Sequence, residues 1–103
     1  MEGREMAATP SAEITGDAVV TGAPALYWGA TLAVGTTASQ LLVYDNATGA
    51  SGTIIDRLMN IAAVAAGDTM VTHIFAKPIN CVNGIYVDWG GTGAIGKVWY
   101  EPK

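Results

Sequence analysis

The side chains with chemical capability are few and scattered. His73 is the only histidine and Cys81 the only cysteine of the 103 residues. One imidazole and one thiol cannot supply a four-ligand zinc site, a CxxC redox pair or a disulfide framework within the chain. As a general base His73 would need a nucleophile and an orienting acid, and the neighbouring sequence places neither beside it. It is read as a hydrogen-bonded structural histidine within an apolar strand, and Cys81 as a small buried hydrophobe. Asp45, Asp56, Asp68 and Asp88 lack the spacing of an EF-hand calcium loop, and each lies near a turn where Asp serves backbone geometry. The run Gly90-Gly91-Thr92-Gly93 has neither the Lys-Ser/Thr ending of a phosphate loop nor a strand-to-helix context, and reads as a turn. The sequon Asn46-Ala47-Thr48 falls in a loop and carries little meaning without an export signal. No catalytic residue, cofactor site or metal site is expected, and the chain is not read as an enzyme.

Composition narrows the partners. Half of the residues are hydrophobic, 14% are charged, and five Lys plus Arg face nine Asp plus Glu, for a net charge of -4. That balance cannot build the basic face that phosphate-backbone binding requires, so no nucleic acid is expected. A spanning helix needs about 20 apolar residues; the run 61–67 is too short, and 23–34 is broken by Pro24, Gly29 and Thr31. No membrane partner is expected. Glu2 and Glu5 stand where a secretory leader has a basic segment, so no export signal is expected, and a single thiol fits folding in a reducing cytoplasm.

The elements that must position these residues read as strands. Residues 1–16 show no sustained period and are expected to form a flexible N-terminal arm; 17–103 read as one domain. Strands are expected at 17–21, 25–34 and 40–44, with Gly29 suited to a bulge or a close backbone approach. The Asp, Asn, Gly, Ser and Thr of 45–52 make the clearest loop, after which 53–55 opens a short strand. Within 56–66 both helical and alternating patterns fit; with β-rich neighbours on either side, strand or extended loop is expected. A strand over 69–76 is expected to end at Pro78, which cannot donate to a ladder. The glycine turn at 90–93 is expected to join 85–89 and 94–101 as a hairpin. The sum is an all-β chain forming a single β-sandwich.

Strand faces carry the functional information. In 40–44, Leu41 and Val43 share one face while Leu42 and Tyr44 share the other; in 69–75, Met70 and Ile74 oppose Val71 and Phe75. An isolated antiparallel sandwich leaves its outer faces polar. At ~25 cal/mol per Å², burying even ~400 Å² of such surplus apolar surface would favour association by about 10 kcal/mol before entropy costs. A homo-oligomer, with a trimer expected, or a subunit docked on a larger assembly follows. The alternative is a monomer with scattered exposed Ala and Val. The adjacent pairs Tyr27-Trp28 and Trp99-Tyr100 sharpen this, because neighbours on a strand face opposite ways. One ring of each pair can fill the core while the other anchors an interface, which makes Tyr27, Trp28, Trp99 and Tyr100 the candidate contact residues. Stacking of the exposed rings on sugars is the rival use.

Two segments carry a family resemblance. The stretch from Leu42 through Tyr44-Asp45-Asn46-Ala47-Thr48-Gly49 to Gly52 is one, and Asn83-Gly84-Ile85-Tyr86-Val87-Asp88-Trp89 the other. With Gly91-Thr92-Gly93-Ala94 and Val98-Trp99-Tyr100, they resemble small tailed-bacteriophage virion proteins over about half of the chain. The resemblance implies a jelly-roll-like β-sandwich that assembles on the particle as a decoration, cement or fibre-type protein. Its implied partners are copies of itself and a major capsid or other virion protein, and its implied location is the virion, after synthesis in the host cytoplasm. A carbohydrate-binding or host-attachment module is the second reading, and a small enzyme built around His73 a distant third.

Overall fold

Short runs of Val, Ile, Leu, Tyr and Trp separated by Gly-, Asn- and Asp-rich stretches can satisfy their backbone groups only by pairing across the chain. A computed structural model, which describes residues 8–11, 13–33, 39–60, 70–90 and 95–103, pairs them into eight strands, with no helix among those residues. They are β1 (Thr9–Pro10), β2 (Ala18–Thr21), β3 (Ala25–Ala33), β4 (Ser39–Asp45), β5 (Thr53–Asn60), β6 (Met70–Cys81), β7 (Ile85–Gly90) and β8 (Ile95–Pro102). Two four-stranded sheets result, ordered β1-β8-β3-β6 and β2-β7-β4-β5, and they pack face to face.

The pairing is nested. β4 pairs with β5, β3 with β6, β2 with β7 and β1 with β8, all antiparallel, as though one long hairpin bent at 46–52 had been rolled up. Contacts of β3 with β8 and of β4 with β7 then close the two sheets. The bend is held by Asn46, whose Oδ1 accepts the N–H groups of Thr48 and Gly49 at 2.8 and 2.9 Å and whose Nδ2 donates to the Ser51 carbonyl at 3.0 Å. Asp45 ties this end to the 82–84 turn by accepting from the N–H groups of Val82 and Asn83. Gly84, with φ of +149°, sits against the Thr21 carbonyl and Ala47, a place that no larger residue fits.

Alternation builds the core. Ala25, Tyr27, Ala30 and Leu32 of β3, Leu41 and Val43 of β4, Leu58 of β5, Ile85 and Val87 of β7, and Val98 of β8 are buried between the sheets. In β3 the alternation skips a step, because the register shifts between Tyr27 and Gly29 against both neighbouring strands. That bulge turns both Tyr27 and Ala30 inward.

Part of the stretch 1–16 is placed, and three expectations are corrected. Within 1–16, Thr9 and Pro10 pair with Tyr100 and Trp99, and Ser11 N–H donates to the Val98 carbonyl. Ile14 is buried and bridges Gly96. The apolar Ile14 side chain and the unpaired edge of β8 account for this docking; residues 1–7 lie outside the described part. Pro78 does not end its strand, because β6 is an edge strand and Pro78 falls in an irregular stretch, 75–78, that has no register partner in β3. Residues 85–89 and 95–101 do not form a hairpin, since β7 and β8 belong to different sheets. Asp56 lies within β5 rather than at a turn, and the strand runs on to Asn60; residues 61–66 of the ambiguous stretch lie outside the described part, as does the glycine turn at 91–93.

Candidate protein-protein interface

The two aromatic pairs divide as strand geometry requires. Tyr27 is fully buried, and Tyr100 is half-buried and packed on the core. Trp28 and Trp99 take the opposite, outer face of the β1-β8-β3-β6 sheet, both half-buried. Four candidate contact residues thus become two. The third tryptophan, Trp89, packs inward against the core and over Gly96.

Register assembles the outer face row by row. Trp99 lies across from Gly29, which in turn pairs with Ile74; Ile95, Ala33 and Met70 form a second row, and Lys97, Thr31 and Thr72 a third. The lack of a side chain at Gly29 leaves room for Ile74, whose Cδ1 lies 2.9 Å from where a Cβ would be. The polar contacts described on this face include Trp28 Nε1 donating to Glu101 Oε1 at 3.3 Å and the Thr31 and Thr72 hydroxyls, which lie 3.3 Å apart. Among the described residues the exposed large hydrophobics are Val19, Met70, Ile74, Val82 and Ile95, with Met70 61% and Ile74 49% accessible. Three of those five stand on this one face, so the apolar exposure is concentrated there rather than scattered. Thr31, Ala33, Ile95, Lys97 and Trp99 line a shallow depression of about 190 Å³ in it.

The opposite sheet's outer face is more mixed. Its cross-strand rows are Val19-Tyr86-Tyr44-Ile54 and Asp88-Leu42-Arg57. The second row carries both an acid and a base.

A polar cluster that sequence spacing did not suggest closes one side of the sandwich. Asp56 of β5 accepts from the Tyr27 hydroxyl at 2.7 Å, from its neighbour's Arg57 N–H at 2.8 Å, and pairs with His73 Nδ1 of β6 at 3.0 Å. An orienting acid therefore does stand beside His73, from 17 residues away, because β5 and β6 are the adjacent edges of the two sheets. An ionised carboxylate only accepts, so it holds the imidazole proton on Nδ1. Burial, reinforced by the bond to Asp56, keeps the Tyr27 phenol protonated far above the usual tyrosine range. No hydroxyl or thiol is seen hydrogen-bonded to His73 among the described residues, and the cluster ties two strand edges and a core ring together. Cys81 is fully buried, and that burial, with the charge of Asp45 adding to it, pushes its thiol up to about 12, so it is no nucleophile at neutral pH.

Asp17 and Asp88 form a second acidic contact. Partial burial and then the facing Asp17 carboxylate raise Asp88 above the usual aspartate range, while Asp17 accepts the Trp89 N–H at 2.7 Å. A carboxyl with a raised folded-state pKa favours folding when protonated, so its charge opposes folding at neutral pH and that opposition fades as pH falls through the raised value. Asp88→Asn is accordingly expected to raise the thermal midpoint at pH 7 and to flatten its rise on acidification just above the ordinary aspartate range. Thermal melts of both proteins between pH 7 and pH 4 check this, and equal pH slopes would count against it.

Among the described residues, no group of three or more His, Cys, Asp or Glu side chains is arranged to hold a metal ion. Comparison of the chain with models of known protein families, with curated proteins and with solved structures found no match.

Proposed function

We propose that this chain is a non-enzymatic structural subunit that associates with copies of itself and binds the surface of a virion capsid, which it decorates or stabilises. One observation carries the reading: the outer face of the β1-β8-β3-β6 sheet presents Trp28, Trp99, Met70, Ile74 and Ile95 where a solitary sandwich would present polar side chains. We read the nested strand pairing as a jelly roll, eight strands in two Greek keys, an architecture that serves viral capsid and lectin domains alike. Architecture therefore does not choose between them, and the character of the exposed face must. The resemblance of 42–52 and 83–89 to tailed-phage virion proteins supports the same choice.

The test replaces the anchors. An aromatic ring buries ~150–250 Å² at an interface, so Trp99→Ser or Trp28→Ser is expected to weaken association at least tenfold in sedimentation velocity and in co-sedimentation with purified particles. Circular dichroism of each variant should match the wild type, because neither ring belongs to the buried core. If both substitutions unfold the subunit instead, the rings are structural and the reading fails.

A second reading draws on the depression beside Trp99, where an apolar floor flanked by Thr31 and Lys97 suits a sugar ring stacked on an indole. A monomer whose tryptophan fluorescence shifts on titration with oligosaccharides would favour it.

A further inference from the structure

We infer that the outer face of the β1-β8-β3-β6 sheet is covered by the same face of a second copy of the chain, related by a two-fold axis that crosses the strands at Trp99. The inference rests on the reading above that protein covers this face, and it names the occupant.

The argument begins with β8. Its outward positions are Ile95, Lys97, Trp99 and Glu101, so a cation and a carboxylate stand equally far, about 6.6 Å along the strand, on either side of an indole. An axis lying in the interface and perpendicular to β8 reverses the strand direction. It sets Lys97 opposite Glu101 of the second copy, Glu101 opposite its Lys97, and Trp99 against Trp99. Across the same row, Ile74 meets Ile74, because Trp99, Gly29 and Ile74 are register partners. At Lys97, Trp99, Glu101 and Ile74 the pattern is therefore complementary to itself, which is the condition for an isologous contact, while Ile95 falls opposite Lys103 at the strand end. A closed trimer, expected from the sequence, requires two different patches and draws nothing from this symmetry.

Charge makes the same choice of face. The chain carries -4, so two copies repel on average. Alternation places Lys97 and Glu101 as the charged residues of β8 and β3 on this face, and these two sum to zero, while the exposed Lys77 lies in the irregular stretch of β6. Glu101 already accepts from Trp28, but a carboxylate has acceptor capacity for further donors. Two such sheets can stack ~10 Å apart with strands nearly aligned. Three strands ~4.8 Å apart and about nine residues long, with the two-residue β1 at the edge, give roughly 450 Å² of flat face, against the ~800 Å² per partner of a standard interface. The dimer is therefore expected to be weak, reversible and dependent on concentration in the micromolar range.

Sedimentation equilibrium of the full chain from micromolar to millimolar concentration tests it. The wild type should follow a monomer–dimer equilibrium. Lys97→Glu places like charges opposite each other twice and should weaken the dimer at least tenfold; Glu101→Lys should do likewise; the double swap should restore affinity to within about threefold. Circular dichroism of each variant excludes unfolding, and Lys97→Glu is the cleaner arm because it spares the Trp28 bond. A wild type that stays monomeric or forms trimers, or a double swap no better than the single ones, overturns the two-fold pairing. If that monomer still binds particles in a Trp99-dependent way, the assembly reading stands without this pairing; if it binds none, both fail.

Discussion

Gly29→Ala is expected to abolish folding or to lower stability by about 3 kcal/mol or more, a large share of the ~5–15 kcal/mol typical of a domain. A Cβ at this position would overlap the carbonyl oxygen of His73 and lie 2.9 Å from Ile74 Cδ1, and the backbone φ of +154° is one that L side chains rarely adopt. Neither side can give way. β3 is an interior strand paired with β8 and β6, and His73 is held in place by its bond to Asp56. Urea denaturation measures the loss, with Gly49→Ala as the control, since a Cβ at Gly49 meets nothing within 4 Å. Equal denaturation midpoints for Gly29→Ala and the wild type would mean that β3 and β6 do not approach as described.

Asp56→Ala should be the next most damaging change, at about 2–4 kcal/mol, because it strands a buried tyrosine hydroxyl and removes the acid that joins the two sheet edges. The Tyr27 ring is fully buried and packs 6.0 Å from Phe75, centroid to centroid, so its hydroxyl cannot swing out to water. Tyr27→Phe removes the stranded group, and in that background Asp56→Ala should cost at least about 1 kcal/mol less. The double-mutant cycle, read from denaturant midpoints, separates this shared bond from loss of strand propensity at position 56. Strict additivity would show that Asp56 and Tyr27 act independently and that the 2.7 Å contact contributes nothing net.

His73 was legible as a hydrogen-bonded structural histidine, but its partner was not, and the reason is also the source of that cluster's strength. Its partners lie 17 and, by way of Asp56, a further 29 residues away along the chain, and they meet only because the nested pairing sets β5 beside β6 and β3 within reach of both. No local signal marks such a trio. An Asp between Ile54-Ile55 and Leu58-Met59 was the nearest thing to one, since a partly buried carboxylate in a strand must find donors. The glycine run at 90–93 misled for a related reason: turn residues announce a change of direction, but whether the chain returns along the same sheet or crosses to the other depends on what the next strand packs against.

Local chemistry by itself determined that this protein is built of strands, where its clearest loop lies, and that one ring of each Tyr-Trp pair must point away from the other. A period of two settles relative facing and nothing more. Only the tertiary structure decided that Tyr27 and Tyr100 go inward and Trp28 and Trp99 outward, because absolute facing follows from register across β8, β3 and β6 and from a bulge that resets the count at Trp28. It likewise decided that Ile14 and β1 close over the edge of β8, since burying a lone isoleucine is favourable only once a core exists to receive it.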